Sequence, residues 1–520
     1  LAEPMKNLHV DKVEGIWLFL LTYNRYLSQV NTTLNPEFII TNAFRDLQTA
    51  LINIQQFDAK GLSKATRRDY FKALKGAYGG LRGKEQTEWQ RYMREFDAAG
   101  GKVNFFKVDD LNARRTKLQR ELDIRGKGAL PVTRRAARAI MDLVEDANGA
   151  VENAIRLSAF VNARRMGMSD FDAARLAKNL TVNFNKRGEL GTQMNGLYLF
   201  YNASIQSTFV MLNALKSRPV QYMAASLVAM GFAEALLNYM LSPPDDDGEL
   251  VYDKIPQWEK EGNIILVDPT GWLSKVVDGI FVVGKVGDAK YIKVPLAYGY
   301  RTFHELGRAT GAAMAGKDTA MDAAANVVHS IVNNFNPIGG DENIVSFFAP
   351  TILDPLISVG QNRTFTGSKI RPEPSQFDKS PPPPSEQYFP NVSDISRVIT
   401  RELNELTGGD KIEAGKISLS PEVLDYMFAQ FTGAAGAFVG RTVDAASKIA
   451  SGEEASVRDI PFARQVLGGK QPWYDRSIAY ERMDEVLRIE DMVKDSMKVG
   501  MNEKAKQVMD SEKDLLSLRG

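Results

Sequence analysis

The sequence contains no cysteine among its 520 residues. Disulfide cross-links and thiolate metal sites are therefore excluded, and the chain can pass between oxidising and reducing compartments without mispairing. Histidine is scarce. His9, His304 and His329 lie far apart and share no HExxH-like spacing, so neither a histidine triad nor a histidine metal site is expected. Net charge is almost absent: 65 Lys/Arg against 64 Asp/Glu leave +1, so no global field selects nucleic acid or an acidic partner. The start shows no basic segment followed by an apolar run and a small-residue cleavage site, so no secretory signal is read. The first residue is Leu1, which predicts a chain that begins part-way along a longer polypeptide or after processing. Without a secretory route the sequons at Asn31, Asn179, Asn202, Asn362 and Asn391 carry no weight.

Two motifs with a chemical look fail on detail. The run GAAMAGKDT (311–319) contains GxxxxGK, but Asp318 stands where a phosphate loop needs a Mg²⁺-binding hydroxyl, and helical sequence precedes it instead of a strand. It reads as a helix end rich in small residues. The acidic DDDGELVYDK (245–254) has Leu250 where a calcium loop needs glycine, and reads as a surface turn. No catalytic, cofactor-binding or metal-ligating residue is assigned, and no enzymatic activity is expected.

Helical periodicity dominates what is present. Ile40, Ala43, Phe44, Leu47, Leu51 and Ile54 recur at three-to-four spacing behind Asn35-Pro36, predicting a helix over 36–56. Further helices are predicted at 63–78, 84–98, 109–122, 132–147, 149–166, 169–183 (opened by a Ser169 cap), 193–216, 219–241, 297–316, 318–334, 393–406 and 421–450. A charged amphipathic stretch follows at 474–517. The short Ile/Val-rich runs 263–268 and 290–295, bounded by Gly, Asp and Pro, predict two strands around an apolar insert at 271–284. Seven prolines in 371–390 predict an extended arm. The fold class is mainly α, with many helices in several subdomains and one small β-hairpin or short sheet. The expected units are 1–130, helical with a basic stretch; 131–360, the central helical domain; 361–392, the proline-rich arm; and 393–520, the C-terminal helices.

Charge is uneven along the chain. From Lys102 to Arg138 there are eleven Lys/Arg against four acids, a local net of +7. Arg114, Arg115, Lys117, Arg120, Arg134, Arg135 and Arg138 are candidate contacts to DNA phosphates, although a solvated helix face has the same composition. By contrast, residues 190–244 hold only Lys216, Arg218 and Glu234 as charges. On one helix, Asn195, Asn202, Gln206 and Asn213 would share a face. Buried amides need partners, because an unpaired one costs about 1–3 kcal/mol. The second apolar helix carries Leu227 and Leu236 and many small residues that permit close packing. It is long enough to span a bilayer. These helices read as a buried hairpin, a surface facing a subunit or membrane, or a membrane span.

The blocks AARLAKNLTVNFNKRGELG (173–191), LFYNASIQS (199–207), IPQWEKEGNIIL (255–266), YIKVPLAYGYRTFHELG (291–307), NNFNPIGG (333–340), APTILDPLISVGQNRTFTGSKIRPE (349–373) and LSPEVLDYMFAQFTGAAG (419–436) occur in order. With NPEFIITNAFRDLQTA (35–50) upstream, they resemble the helical domain of large phage polyvalent proteins (the associated domain 38 type) over roughly residues 30–440. The resemblance implies an internal virion or ejection protein of a short-tailed phage. Such a protein is packed in the capsid core near the portal and leaves with the genome for the host periplasm and inner membrane. It implies a ring or tube of identical subunits, contacts with other internal virion proteins and the portal, and non-specific contact with phage DNA. It also leaves room for a non-catalytic scaffold tail of a virion-packaged polymerase or peptidoglycan hydrolase, or for a membrane-inserted pore component. It implies no active site and no cofactor on these residues.

Overall fold

The structure is a computed structural model. It describes residues 16–57, 61–82, 86–101, 132–182, 191–245, 248–273, 275, 286–287, 289–335, 350–364, 369–373, 381–389, 392–451, 455–469, 486, 488–498 and 501–511. The predicted helix at 109–122 and most of the basic stretch lie outside these residues.

Local capping chemistry sets the helix starts. The Thr87 hydroxyl accepts from Gln90 N while Gln90 Oε1 accepts from Thr87 N, a reciprocal box that opens α4. Ser169 opens α6 by accepting from Asp172 N. That helix closes at Lys178, short of the predicted 183, where Asn179 Nδ2 turns back to donate to Arg175 O. Asn35 Oδ1 accepts from Glu37 N, so the chain makes a side-chain-closed turn there and α2 starts only at Phe38.

The N-terminal unit comprises α1 (Ile16–Asn31), α2 (Phe38–Asn53), α3 (Leu62–Leu81), α4 (Glu88–Ala98), α5 (Val132–Arg165) and α6 (Asp170–Lys178). Its core gathers Ala73, Ala77, Phe96, Ala154, Ile155, Leu157, Phe160 and Leu180. The helices predicted at 132–147 and 149–166 are one helix, because burial of Ala150, Val151 and Ala154 just after the junction outweighs the roughly 1 kcal/mol that Gly149 costs. The first core therefore runs past the expected boundary at 130 and takes in residues up to Leu180.

The central unit follows as α7 (Gly191–Leu197), α8 (Tyr201–Ala214), α9 (Arg218–Leu241), α10 (Gln257–Gly262), β1 (Asn263–Val267), β2 (Val286–Gly287), β3 (Tyr291–Pro295), α11 (Arg301–Met314), α12 (Ala320–Phe335) and α13 (Asp354–Gln361). Strands β1 and β3 pair antiparallel, with Ile265 opposite Lys293. The C-terminal part adds α14 (Asp394–Leu406), α15 (Pro421–Ser451), β4 (Ala455–Ser456), α16 (Ala463–Val466), β5 (Leu467–Gly468) and α17 (Asn502–Ser511). Strand β5 joins β3 to give the order β1-β3-β5, and β4 pairs parallel with β2. The mainly α architecture with one small antiparallel sheet is thus as expected, with a third strand contributed from far along the chain.

Within the arm, residues 381–389 are extended apart from one 3₁₀ turn at Pro384–Glu386. It is strapped down: Glu386 takes a two-pronged bond from Arg401 at 2.8 and 3.2 Å, and Glu422 accepts from Phe389 N. Helix α15 breaks at Gly433, whose φ of 55° and ψ of −152° no L side chain adopts readily. Asn31, at the end of α1, fills the break by accepting from Ala434 N at 3.0 Å.

Candidate functional site

The charge-poor window resolves into three helices with different surroundings. The predicted single helix at 193–216 is interrupted: Phe200 sits at φ 63°, and α7 and α8 meet at an angle there. Asn195 therefore lies on a different helix from Asn202, Gln206 and Asn213, which stay together on α8 at four- and seven-residue spacing. Asn195 Oδ1 accepts from Asn202 N across the break and so caps α8. The α7 carbonyls of Asn195 and Gly196 are taken by Asn24 Nδ2 of α1. Asn202 is buried, Gln206 is half-buried, and Asn213 lies exposed with Lys216 Nζ bound to its Oδ1 at 2.9 Å. The amides serve as joints between short helices.

Helix α9 does not form a hairpin with α8. It packs lengthwise on α11, and the two backbones touch. A Cβ on Gly231 would collide with the His304 carbonyl, and one on Gly307 would collide with the Val228 carbonyl. One turn further along, a Cβ on Gly311 would lie 2.8 Å from that of Ala235. Small residues on both helices make this approach possible, as GxxxG-type spacing does elsewhere. Leu227 belongs to this interior: it packs on the cluster of Val220, Met211, Ala297 and Tyr300. Leu236 is half-buried. Neither presents the outward face expected of an oligomer or membrane contact.

The one acid of α9 is buried in the seam. Glu234 Oε2 lies 2.7 Å from His304 Nε2, and its Oε1 accepts from Ile265 N at 3.0 Å. One turn on, Asn238 donates to Ile265 O at 2.7 Å and accepts from Val267 N at 3.0 Å. The spacing is a match of periods. Four residues of helix rise about 6 Å, and two residues of strand rise about 6.6 Å. Two side chains of α9 therefore satisfy the outer edge of β1, which would otherwise offer unpaired backbone groups.

A denser polar cluster lies beneath this edge. Glu305 holds Arg308 in two parallel bonds of 2.7 and 2.6 Å, and Gln257 bridges Glu305 to Glu261. His329 Nδ1 reaches Glu261 at 3.2 Å from α12. Glu259 accepts from Tyr291 OH at 2.7 Å and Arg458 at 2.9 Å, and is ion-paired with Lys293. Burial would raise the Glu259 carboxyl, but the adjacent Lys293 and Arg458 cations outweigh it and hold it below its ordinary range. Lys260 is buried with its ammonium 4.7 Å above the Tyr252 ring. Burial, seconded by the Arg308 charge, lowers its pKa to about 7. Every charge in this group is committed to another side chain or to backbone, which is the arrangement of a joint. Among the described residues no cluster of His, Cys, Asp or Glu could hold a metal ion.

The outer face of α9 has the opposite character. Tyr222, Met230, Leu237, Met240 and Leu241 are exposed, and most of the helix's apolar window lies outside the core. Among the described residues it is the one helix long and apolar enough to cross a membrane. Leu237 and Met240 are the outward residues that sequence reasoning missed, since period alone does not say which side of an all-apolar helix faces in. Arg134, Arg135 and Arg138 lie in the first two turns of α5, the helix end where the macrodipole disfavours cations. Arg114, Arg115, Lys117 and Arg120 lie outside the described residues.

No curated protein and no solved structure matches the chain. The segment from Glu249 to Ala463, which holds the polar cluster, the strand pair β1–β3 and helices α10 to α15, does match a family model. That model is described as large polyvalent protein associated domain 38, and residues 249–463 are similar to it.

Proposed function

We propose that the chain is a structural segment of a phage internal virion protein, one that assembles with copies of itself in the capsid core and helps carry the genome across the host envelope. The observation that carries this reading is the combination of the matched domain with a helical surface that is apolar outside and hydrogen-bonded inside. A chain without cysteine, rich in local helical contacts, also suits passage through a narrow channel with refolding afterwards. The subunits form a ring or tube, because a repeated heterologous contact closes on itself when its rotation allows. Other internal virion proteins, the portal and, through the basic stretch, the packaged DNA are its neighbours. The segment has no chemistry of its own; as the tail of a virion-packaged polymerase or peptidoglycan hydrolase it would act as scaffold in the same way.

Electron microscopy of intact particles, with the chain located by a tag or by subtraction of a deletion particle, tests the reading. Density beside the portal is expected. A chain absent from the particle, or placed on its outside, overturns it.

A second reading, contact with the host inner membrane, is favoured by the outer face of α9. Glu234 and Asn238 speak for contact over full insertion, since withdrawing α9 from the fold would leave His304 and the edge of β1 without their partners. Vesicle flotation of Leu237→Asp and Met240→Asp variants is the suitable probe; unchanged flotation removes the membrane reading.

A further inference from the structure

Helix α14 is built inside out. Its buried positions Ser396, Thr400 and Asn404 follow i, i+4, i+8 spacing and are all polar. They are satisfied within the chain. Ser396 Oγ donates to Asp425, Thr400 Oγ1 donates to Ser396 O at 2.8 Å, and Asn404 donates to Asp410 O and accepts from Gly415 N. The opposite face is open and mostly aliphatic around one acid, Glu402: Ile395 is 71% exposed, Val398 57%, Ile399 49% and Leu406 81%. A surface helix of a self-contained protein runs the other way.

The loop and helix that follow continue the pattern, with Ile412, Ile417, Leu419, Phe428, Phe431, Val439 and Val443 exposed. These eleven are spread over α14, the loop and both parts of α15, on either side of the break at Gly433, and the four on α14 lie on one helix face. Between residues 393 and 451, six Lys/Arg stand against eight Asp/Glu. That balance gives no attraction to anionic lipid or to nucleic acid.

We propose that the outward face of α14 is a self-association surface, covered in the assembled state by a second copy of this chain. The open aliphatic side chains of α14 supply the apolar centre that an interface between copies needs, and the slightly acidic surroundings select against phospholipid. This rests on the reading of the chain as an assembling virion protein and names where one of its contacts lies.

Light scattering on the full chain, wild type against the double variant Val398→Asp/Ile399→Asp, tests the surface. The wild type is expected as a dimer or larger at micromolar concentration, and the variant should associate at least roughly tenfold more weakly. A monomeric wild type, or a variant that associates as well as the wild type, overturns the proposal. Should the double variant lose its helical circular dichroism, Ile395→Cys replaces it. The chain has no other cysteine, so a bis-maleimide should trap this variant as a covalent dimer, and failure to trap one is equally fatal. Flotation of the wild type on phosphatidylglycerol vesicles that is lost in the double variant would assign the face to lipid and overturn the second-copy claim. The two readings fail separately: a chain found beside the portal whose association ignores α14 sinks only the surface, and a chain missing from particles whose association depends on α14 sinks only the virion role.

Discussion

The N-terminal core and the interior around α9, α11 and α14 bury different chemistry. Around α3 to α6 the interior is mainly Ala, Leu, Ile and Phe, and stability comes from area removed from water. Around α9, α11 and α14 the interior holds Gly, Ser, Thr, Asn, Glu, His and Lys, while Leu, Met, Ile and Val face outward. The first unit rests mainly on apolar packing. The second adds backbone contact and buried hydrogen bonds to its smaller apolar clusters, and leaves more large apolar side chains exposed on α9 and α14. The two should therefore respond to opposite kinds of mutation.

The largest effects separate them directly. Removing volume from the first core by Phe160→Ala should cost about 3–5 kcal/mol in urea unfolding. Adding volume to the seam by Gly307→Val should cost at least about 3 kcal/mol, since the new side chain meets the α9 backbone and nothing flexible. Ala229→Val, on the exposed side of α9, should stay within about 0.5 kcal/mol of wild type. A Gly307→Val protein as stable as Ala229→Val would mean the seam is not as close as described.

Next come the polar joints. Glu234→Ala strands both His304 and the Ile265 amide and should destabilise by about 3 kcal/mol. Glu234→Gln keeps an acceptor for Ile265 and should lose less. Equal losses in the two variants would show that the strand-edge bond contributes nothing.

A smaller, pH-dependent effect belongs to Lys260. Its folded pKa of about 7 lies below the ordinary 10.5. Between those values the unfolded chain binds a proton that the folded chain does not, so this group makes stability rise with pH across that window. Below about pH 7 both states are protonated and the cost of the buried charge is present in full, on the order of a few kcal/mol. Lys260→Met should therefore raise the melting temperature most at pH 6, with the gain shrinking towards pH 10. A gain independent of pH would assign the effect to packing alone.

The smallest effect on stability, and the sharpest contrast, is expected outside. Leu237→Asp and Met240→Asp should change unfolding free energy by no more than about 0.5 kcal/mol. A large loss would mean that the outer face of α9 is already covered within the chain.

Much of the fold was legible in advance, for local reasons. Ser169 marked a helix start because its side-chain oxygen satisfies an amide three residues away; Thr87 and Ser393 act in the same way, although the spacing had started the first of those helices at 84. The strands at 263–267 and 291–295 stood out by β-branched residues between turn signals. The break at Phe200 was not legible: it depends on Asn24 and Thr351, which take up backbone groups of α7 and of the Leu197–Leu199 turn. Strand β5 was missed because two residues have no period. At the candidate site, the small residues of α9 marked where it packs closely on α11, but which of its apolar residues, such as Leu227 and Leu236, would be more covered than Leu237 and Met240 was not legible. An all-apolar helix with few charges has no moment to orient it.

From its composition and spacing alone, this protein was bound to be a cysteine-free helical chain with a short sheet, an extended proline arm and an uncharged central window. Caps, period and proline geometry act within a few residues, so no partner is needed to specify them. Which faces of α9 and α14 turn inward was decided by tertiary structure alone. The groups that settle it are distant: His304 lies seventy positions from Glu234, and Asp425 lies twenty-nine from Ser396. A buried polar group is tolerated only where the completed fold brings its partner to it.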